Sequence, residues 1–119
     1  MRQEDVSKED VAKLVDAYRE AAKQHGETGD HKAANKSAEL IAAIYSELRR
    51  RGPTAQSELL PLLANPAPGV RLWSASHALE FSPAEGEAAL EQLILEGRLL
   101  GLSAETTLKE WRAGRLRFQ

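Results

Sequence analysis

Apolar residues recur at intervals of three and four along most of the chain, which is the spacing of one face of an α-helix. Six such segments can be separated, each with a start signal and a stop. The first is predicted to begin at Ser7, with Asp10 at the capping-box position, and Asp30 is predicted to cap the second. No segment alternates apolar and polar residues at period two. The pattern therefore predicts an all-α fold of about six helices.

Glycine and proline mark the ends of these segments. Gly52 and Pro53 end the second helix, after three arginines that complement the negative end of its dipole. The third helix is predicted to open at Pro53 and to accommodate Pro61, either near its start or by bending. The last three helices are predicted over residues 70–81, 83–97 and 103–114. Because the connections are short, neighbouring helices are expected to pack antiparallel, as three hairpins.

Leucine pairs repeat at a period of about thirty residues: Leu60 and Leu63 recur as Leu90 and Leu93. The segment 59–71, LLPLLANPAPGVR, with the alanines that follow it, resembles a HEAT-like repeat of the short type first named from phycobiliprotein lyases. In that pattern an apolar helix ends in an acidic-Pro turn, and a Val-Arg pair opens an alanine-rich helix. This sequence departs from it at three places: Asn65, Ala67 and Leu99-Leu100.

The resemblance implies a HEAT/armadillo-like, right-handed α-α superhelix that forms a single domain over residues 1–119. Its first hairpin would span about 7–51, and two HEAT-like units would span about 53–82 and 83–114. The whole chain also resembles an uncharacterised bacterial family of small HEAT-like domains. Since that family carries no known activity, the resemblance implies a fold and no function.

Composition narrows the classes of function that the chain could serve. The 119 residues include no cysteine, so disulfides, thiolate chemistry and cysteine metal sites are excluded. A net charge of -2 gives no overall attraction to nucleic acid or to an anionic membrane. The N-terminus lacks the apolar run of a signal peptide, and no apolar stretch approaches the ~20 residues that span a bilayer. We therefore predict a soluble, cytoplasmic protein.

Two groups of polar residues contain side chains that catalysis or metal binding would use. Ser74, His77 and Glu80 form a Ser-His-acid series, but one helix would carry all three, with no nucleophile elbow or oxyanion hole. The residues around the first interhelix turn could in principle bind zinc, yet lack metal-ligand spacing on a helix. They are His25, Glu27, Asp30 and His31. We predict no enzymatic activity, no metal and no cofactor.

The favoured function is a protein-protein interaction module of unknown partner, with a regulatory or toxin-neutralising role as one form of it. Stacked hairpins align their second helices into an extended binding surface. That surface would draw on Arg71, Trp73, His77, Glu80, Lys109 and Arg112. Trp73 is the predicted anchor, because tryptophan is common among interface hot spots. The alternative is that Trp73 packs against the fifth helix.

Two other functions stay open. Residues 98–119 hold five basic and two acidic side chains, interleaved with Trp111 and Phe118, a combination typical of nucleic-acid contact. The basic residues are Arg98, Lys109, Arg112, Arg115 and Arg117. Alternatively, these cations suit the dipole of their own helix, and Trp111 belongs to the core. The third possibility is a homodimer formed by the open faces of the stack.

Overall fold

The computed structural model describes residues 1–118, and every regular element in that range is a helix. The α-helices are α1 (Val11–Glu27), α2 (His31–Arg51), α3 (Pro53–Ser57), α4 (Pro68–Phe81), α5 (Pro83–Glu96) and α6 (Leu99–Arg112). Two 3₁₀ helices cover Gln3–Lys8 and Leu60–Ala64. The all-α prediction is confirmed. The described chain divides into two compact units, Met1–Leu59 and Leu60–Phe118.

In the first unit, α1 packs against α2. Side chains at helical spacing close the core between them, and all are completely buried: Leu14, Tyr18, Ile41, Ile44, Tyr45 and Leu48. Burial, together with the nearby Tyr45 hydroxyl, raises the pKa of the Tyr18 phenol well above its ordinary value. The Tyr45 hydroxyl accepts a hydrogen bond of 3.0 Å from Nε2 of the buried Gln56, which ties α3 to α2.

In this unit, the start of α2 agrees with the sequence prediction and the start of α1 differs from it. Asp30 caps α2, with its carboxylate accepting from the amide of Lys32 at 3.0 Å, as predicted. The prediction that Ser7 starts the first helix is wrong. Ser7 lies in the N-terminal 3₁₀ helix, and Asp10 caps α1 by accepting from the amide of Lys13 at 2.8 Å. An aspartate carboxylate at the N-cap satisfies an otherwise free amide, so the helix begins there.

The predicted third helix is broken in two. α3 ends at Ser57, and after a turn the chain continues as the 3₁₀ helix Leu60–Ala64, which contains Pro61. Proline has no amide hydrogen to donate, and its ring collides with the carbonyl four residues earlier in an α-helix. A short 3₁₀ helix avoids most of that conflict, because Pro61 stands at its second position, where no intrahelical donor is needed.

In the second unit, α4 packs against α5, and α6 contacts both. The buried core of this unit is Ala75, Leu79, Leu90, Leu93, Ala104 and Leu108. Gly97, with φ of 68°, ends α5 in the left-handed conformation, as the sequence predicted. The predicted start of the sixth helix at Ser103 is wrong, since α6 begins at Leu99 with Arg98 as its cap residue. α6 thereby gains four residues, three of them leucines.

Candidate interaction surface

Arg71, a predicted binding residue, is occupied within the second unit. It lies in the first turn of α4, and its guanidinium donates to both carboxylate oxygens of Glu96 in the last turn of α5, at 2.6 and 3.0 Å. The Arg71 side chain is only 17% exposed. These hydrogen bonds raise the pKa of Arg71 and lower that of Glu96. Arg71 therefore links α4 to α5.

Trp73 and His77 stand one turn apart on α4, where their rings lie 6.1 Å apart at an angle of 35°. Both side chains are half-buried. Between them, Ser74 is fully buried and its hydroxyl donates to the carbonyl of Val70 at 2.8 Å. The Ser74 hydroxyl thus has its hydrogen-bond acceptor on the backbone of its own helix, which is a usual arrangement for a buried serine in a helix.

Lys109 and Arg112 lie exposed on the last turns of α6. Arg112 donates to Glu91 of α5 at 2.8 Å and lies 3.7 Å from Glu87. Lys109 lies 3.7 Å from Glu105, one turn earlier on α6. Exposed ion pairs of this kind contribute little to stability, but they neutralise the cations locally.

The C-terminal basic segment is largely engaged within its own unit. Trp111 and Phe118 meet edge to face, 6.2 Å apart, and both pack against the core of the second unit. Arg115 donates to both oxygens of Glu110, at 2.9 and 3.0 Å. Arg117 donates to the carbonyl of Gly114. The aromatic rings thus cover the core, and Arg115 and Arg117 have partners other than phosphate.

The histidines and carboxylates of the first interhelix turn do not converge. Asp30 is used as the cap of α2. Among residues 1–118, no group of three or more histidine and carboxylate side chains is arranged to hold a metal ion. Across the same range, no helix combines the length and the apolar character needed to cross a bilayer.

Three exposed leucines lie where α5 gives way to α6. The exposed fractions are 80% for Leu95, 81% for Leu99 and 66% for Leu102. We call these three residues the leucine corner. The one other exposed large apolar side chain within the described range is Met1, at 47%. Single exposed leucines are ordinary, but three within eight residues of the chain make this corner a candidate interaction surface.

Helix geometry explains why these leucines are outside. In α5 the core side is taken by Leu90 and Leu93, and Leu95 is rotated by about 200° from Leu93. In α6, Ala104 and Leu108 face the core, and Leu99 and Leu102 lie on the solvent side. None of these three leucines is among the binding residues that the sequence predicted. A signal was present, since residues 93–102 carry six large apolar side chains, more than one buried face accepts.

Beside the leucine corner is an open recess of about 270 Å³. It is lined by Ile94, Gly97, Arg98, Leu99, Gly101, Leu102 and Glu105. Gly101 lets α6 approach α5, because a Cβ there would lie 3.0 Å from the carbonyl oxygen of Leu93. The recess is therefore shaped by close helix packing at its base and by leucine side chains at its rim.

Arg98 differs from the other charged side chains around the recess because it makes no salt bridge within residues 1–118. Glu105 has Lys109 nearby at 3.7 Å, and Glu96 beside the turn is held by Arg71. Arg98 is exposed, although it lies near enough to Glu96 to contribute to the lowered pKa of that carboxyl. α6 also starts without a side-chain cap and without an acidic residue in its first turn. The edge of the recess therefore carries positive potential from Arg98 and from the start of the helix.

The outer face of α6 joins the leucine corner to two of the predicted binding residues. Leu99, Leu102, Thr106 and Lys109 follow each other at spacings of three and four, so they share one side of the helix, with Arg112 next to them. The structure therefore places Lys109 on the same helix face as Leu99 and Leu102, with Arg112 at the edge of that face, beside α5. It places Trp73 and His77 together on α4, and Arg71 in its ion pair with Glu96.

Fold and surface together describe an all-α protein that presents a leucine-rich helix face to solvent. The chain belongs to the DUF2019 family, since the model of this domain of unknown function (DUF2019) matches residues 10–110. The matched range contains the leucine corner and runs from the cap of α1 almost to the end of α6. No curated protein and no solved structure matches the chain.

Proposed function

We propose that this protein is a non-catalytic protein-interaction module that docks a partner on the leucine corner and the outer face of α6. The observation that carries this proposal is the exposure of Leu95, Leu99 and Leu102 at 80%, 81% and 66%. Leaving that much apolar surface in water forgoes stabilisation of roughly 25 cal/mol for each Å² that a partner would cover. A rim of charged residues, including Lys109 and Arg112, gives such an interface its polar edge.

A protein partner suits this surface better than nucleic acid does. Phosphate binding needs cations that are free to replace counterions. Of the five basic residues between 98 and 119, three lie within 4 Å of carboxylates in the second unit: Lys109, Arg112 and Arg115. Base stacking needs accessible rings, whereas Trp111 and Phe118 pack on each other and on the core.

We also propose that the helices stack in the HEAT-like manner that the leucine repeat suggests. The ends of consecutive helices support it, since one residue separates α4 from α5 and two separate α5 from α6. The Arg71–Glu96 pair would play the part that an acidic turn plays in the HEAT-like pattern, because it also anchors the arginine that opens the alanine-rich helix. An experimental structure of the full chain, with its helix-crossing angles, would test the stacking.

The function is tested by a tagged pull-down from a lysate of the source organism, with nuclease-treated and untreated halves washed at two salt concentrations. The test variant is the double substitution Leu99→Gln and Leu102→Gln, and the control is Ala88→Gln at an exposed position of α5. We expect one stoichiometric protein that survives nuclease and salt, persists with the control and is lost with the double variant.

Two results would contradict the proposal. If the retained material is nucleic acid and is lost at the higher salt, the partner is a nucleic acid and not a protein. A protein lost with Trp73→Ala but retained with the leucine double variant would move the interface to α4, the surface that the sequence first indicated.

A further inference from the structure

We infer that the segment docking on the leucine corner is an amphipathic helix with an acidic edge, whose apolar side chain enters the recess while a carboxylate pairs with Arg98. This inference rests on the proposed function and adds the chemistry of the partner. Its basis is the juxtaposition of an apolar recess with Arg98, an exposed cation that makes no salt bridge within residues 1–118. The recess, the leucines and Arg98 all belong to the second unit.

Recognition at this surface has to proceed through side chains. No strand occurs among residues 1–118, so the described chain has no sheet edge to which a partner strand could add. A helical segment satisfies its own backbone hydrogen bonds and offers side chains at spacings of three and four. Leu99 and Leu102 have that same spacing on α6, so an incoming helix finds apolar contacts in the same register.

The positive charge at the recess favours a partner with an acidic side chain. Lys109 and Arg71 lie within ion-pair distance of Glu105 and Glu96, respectively, and Arg98 also acts on Glu96. Three cations therefore stand against two carboxylates, which leaves one positive charge in excess. The start of α6 adds its dipole to the same side. An acidic side chain next to the apolar anchor gains from both, whereas a lysine there meets like charge and loses contact energy.

The test is a selection from a displayed library of 16-residue helical peptides, panned on the full-length protein and on its Arg98→Glu variant. Arg117→Glu is the matched control, since it reverses an exposed arginine that contacts only a backbone carbonyl. We expect the intact protein to enrich peptides with paired apolar residues flanked by Asp or Glu, and Arg98→Glu to enrich Lys or Arg at those flanks. A selected acidic peptide should bind Arg98→Glu about tenfold more weakly in fluorescence anisotropy, with Arg117→Glu close to the intact protein.

The outcomes separate this inference from the proposed function. If enriched peptides are lost with the Leu99→Gln and Leu102→Gln variant but show no acidic preference, the interaction module stands and the acidic helix is wrong. If no peptide is enriched, or if enriched peptides bind the leucine variant equally well, the leucine corner is not a helix site. Sedimentation with phosphatidylserine vesicles that depends on the leucines, or leucine-dependent dimers in ultracentrifugation, would assign the surface to a membrane or to a second copy instead.

Discussion

Two of the three arginines in the last turn of α2, Arg50 and Arg51, share one carboxylate that the sequence pattern did not single out. Glu47 is 7% exposed and accepts hydrogen bonds from Arg50, at 3.0 and 2.6 Å, and from Arg51 at 2.7 Å. Arg51 also donates to the carbonyls of Val6 and Ser7, at 3.3 Å each. A single residue thus organises the end of α2 and helps to hold the N-terminal 3₁₀ helix against it.

The pKa of Glu47 makes this cluster testable. Hydrogen bonds from Arg50, opposed by burial and reinforced by Arg51, lower the pKa of its carboxyl from about 4.5 to about 2. Because the folded pKa is depressed, the stabilisation is complete above pH 4.5 and is lost as the pH falls towards 2. We expect Glu47→Gln to lower the free energy of unfolding by about 1–3 kcal/mol at pH 7. Urea titrations of both proteins should converge near pH 2, and a constant difference across that window would contradict the assignment.

The Arg71–Glu96 pair gives a second prediction at this scale. Since the contact is bidentate and its side chains are 17% and 32% exposed, we expect a coupling free energy of about 1 kcal/mol. It is measured by a double-mutant cycle of Arg71→Ala and Glu96→Ala in chemical denaturation. Strictly additive effects would mean that the pair adds nothing to the junction of α4 with α5.

At the scale of elements, the contact of α5 with α4 depends on a missing side chain. A Cβ at Gly86 would lie 2.8 Å from the carbonyl oxygen of Ala75 and 2.8 Å from the amide nitrogen of Leu79. Both are backbone atoms of α4, so a rotamer change cannot relieve the clash. Glycine inside a helix is unfavourable by itself, and its presence here reflects close approach of the two helices.

We expect Gly86→Ala to destabilise the protein by about 1–3 kcal/mol, although alanine is the better helix former by roughly 1 kcal/mol. Gly29→Ala is the control, because a Cβ there has no neighbour within 4 Å. It should change the free energy of unfolding by less than about 0.5 kcal/mol. Thermal unfolding followed by circular dichroism compares them, and an unchanged midpoint for Gly86→Ala would refute the tight packing.

At the scale of the whole molecule, the net charge of -2 and the small size of the leucine corner set the expected association state. A stable homodimer buries roughly 800 Å² per protomer, and three leucines supply only part of that area. We therefore predict a monomer of 13.1 kDa at micromolar concentration in static light scattering. The Leu99→Gln and Leu102→Gln variant should give the same mass. A dimer that the double variant abolishes would support the homodimer hypothesis in place of a foreign partner.

The sequence alone determined the helical class and most helix ends, because these depend on local chemistry. Ile41, Ile44, Tyr45 and Leu48 recur at helical spacing, and all four are buried on one face of α2. Asp30 and Gly97 cap helices as their residue types predicted, since an aspartate oxygen and a glycine φ act within one turn of the chain. Pro61 conflicts with an α-helix for the same local reason. The sequence predicted one helix that accommodates it, whereas the structure has two separate helices.

The surface was decided by tertiary structure. Periodicity marks which residues share a helix face, but only packing decides which of two apolar faces is buried and which, like Leu99 and Leu102, remains in water. Likewise, the sequence predicted that Arg71 is a binding residue on the surface. The packing of α5 against α4 instead places a carboxylate oxygen of Glu96 2.6 Å from its guanidinium. Charges and leucines distant in sequence acquire their roles from neighbours on other helices, and those neighbours are set by how the helices pack rather than by any local pattern.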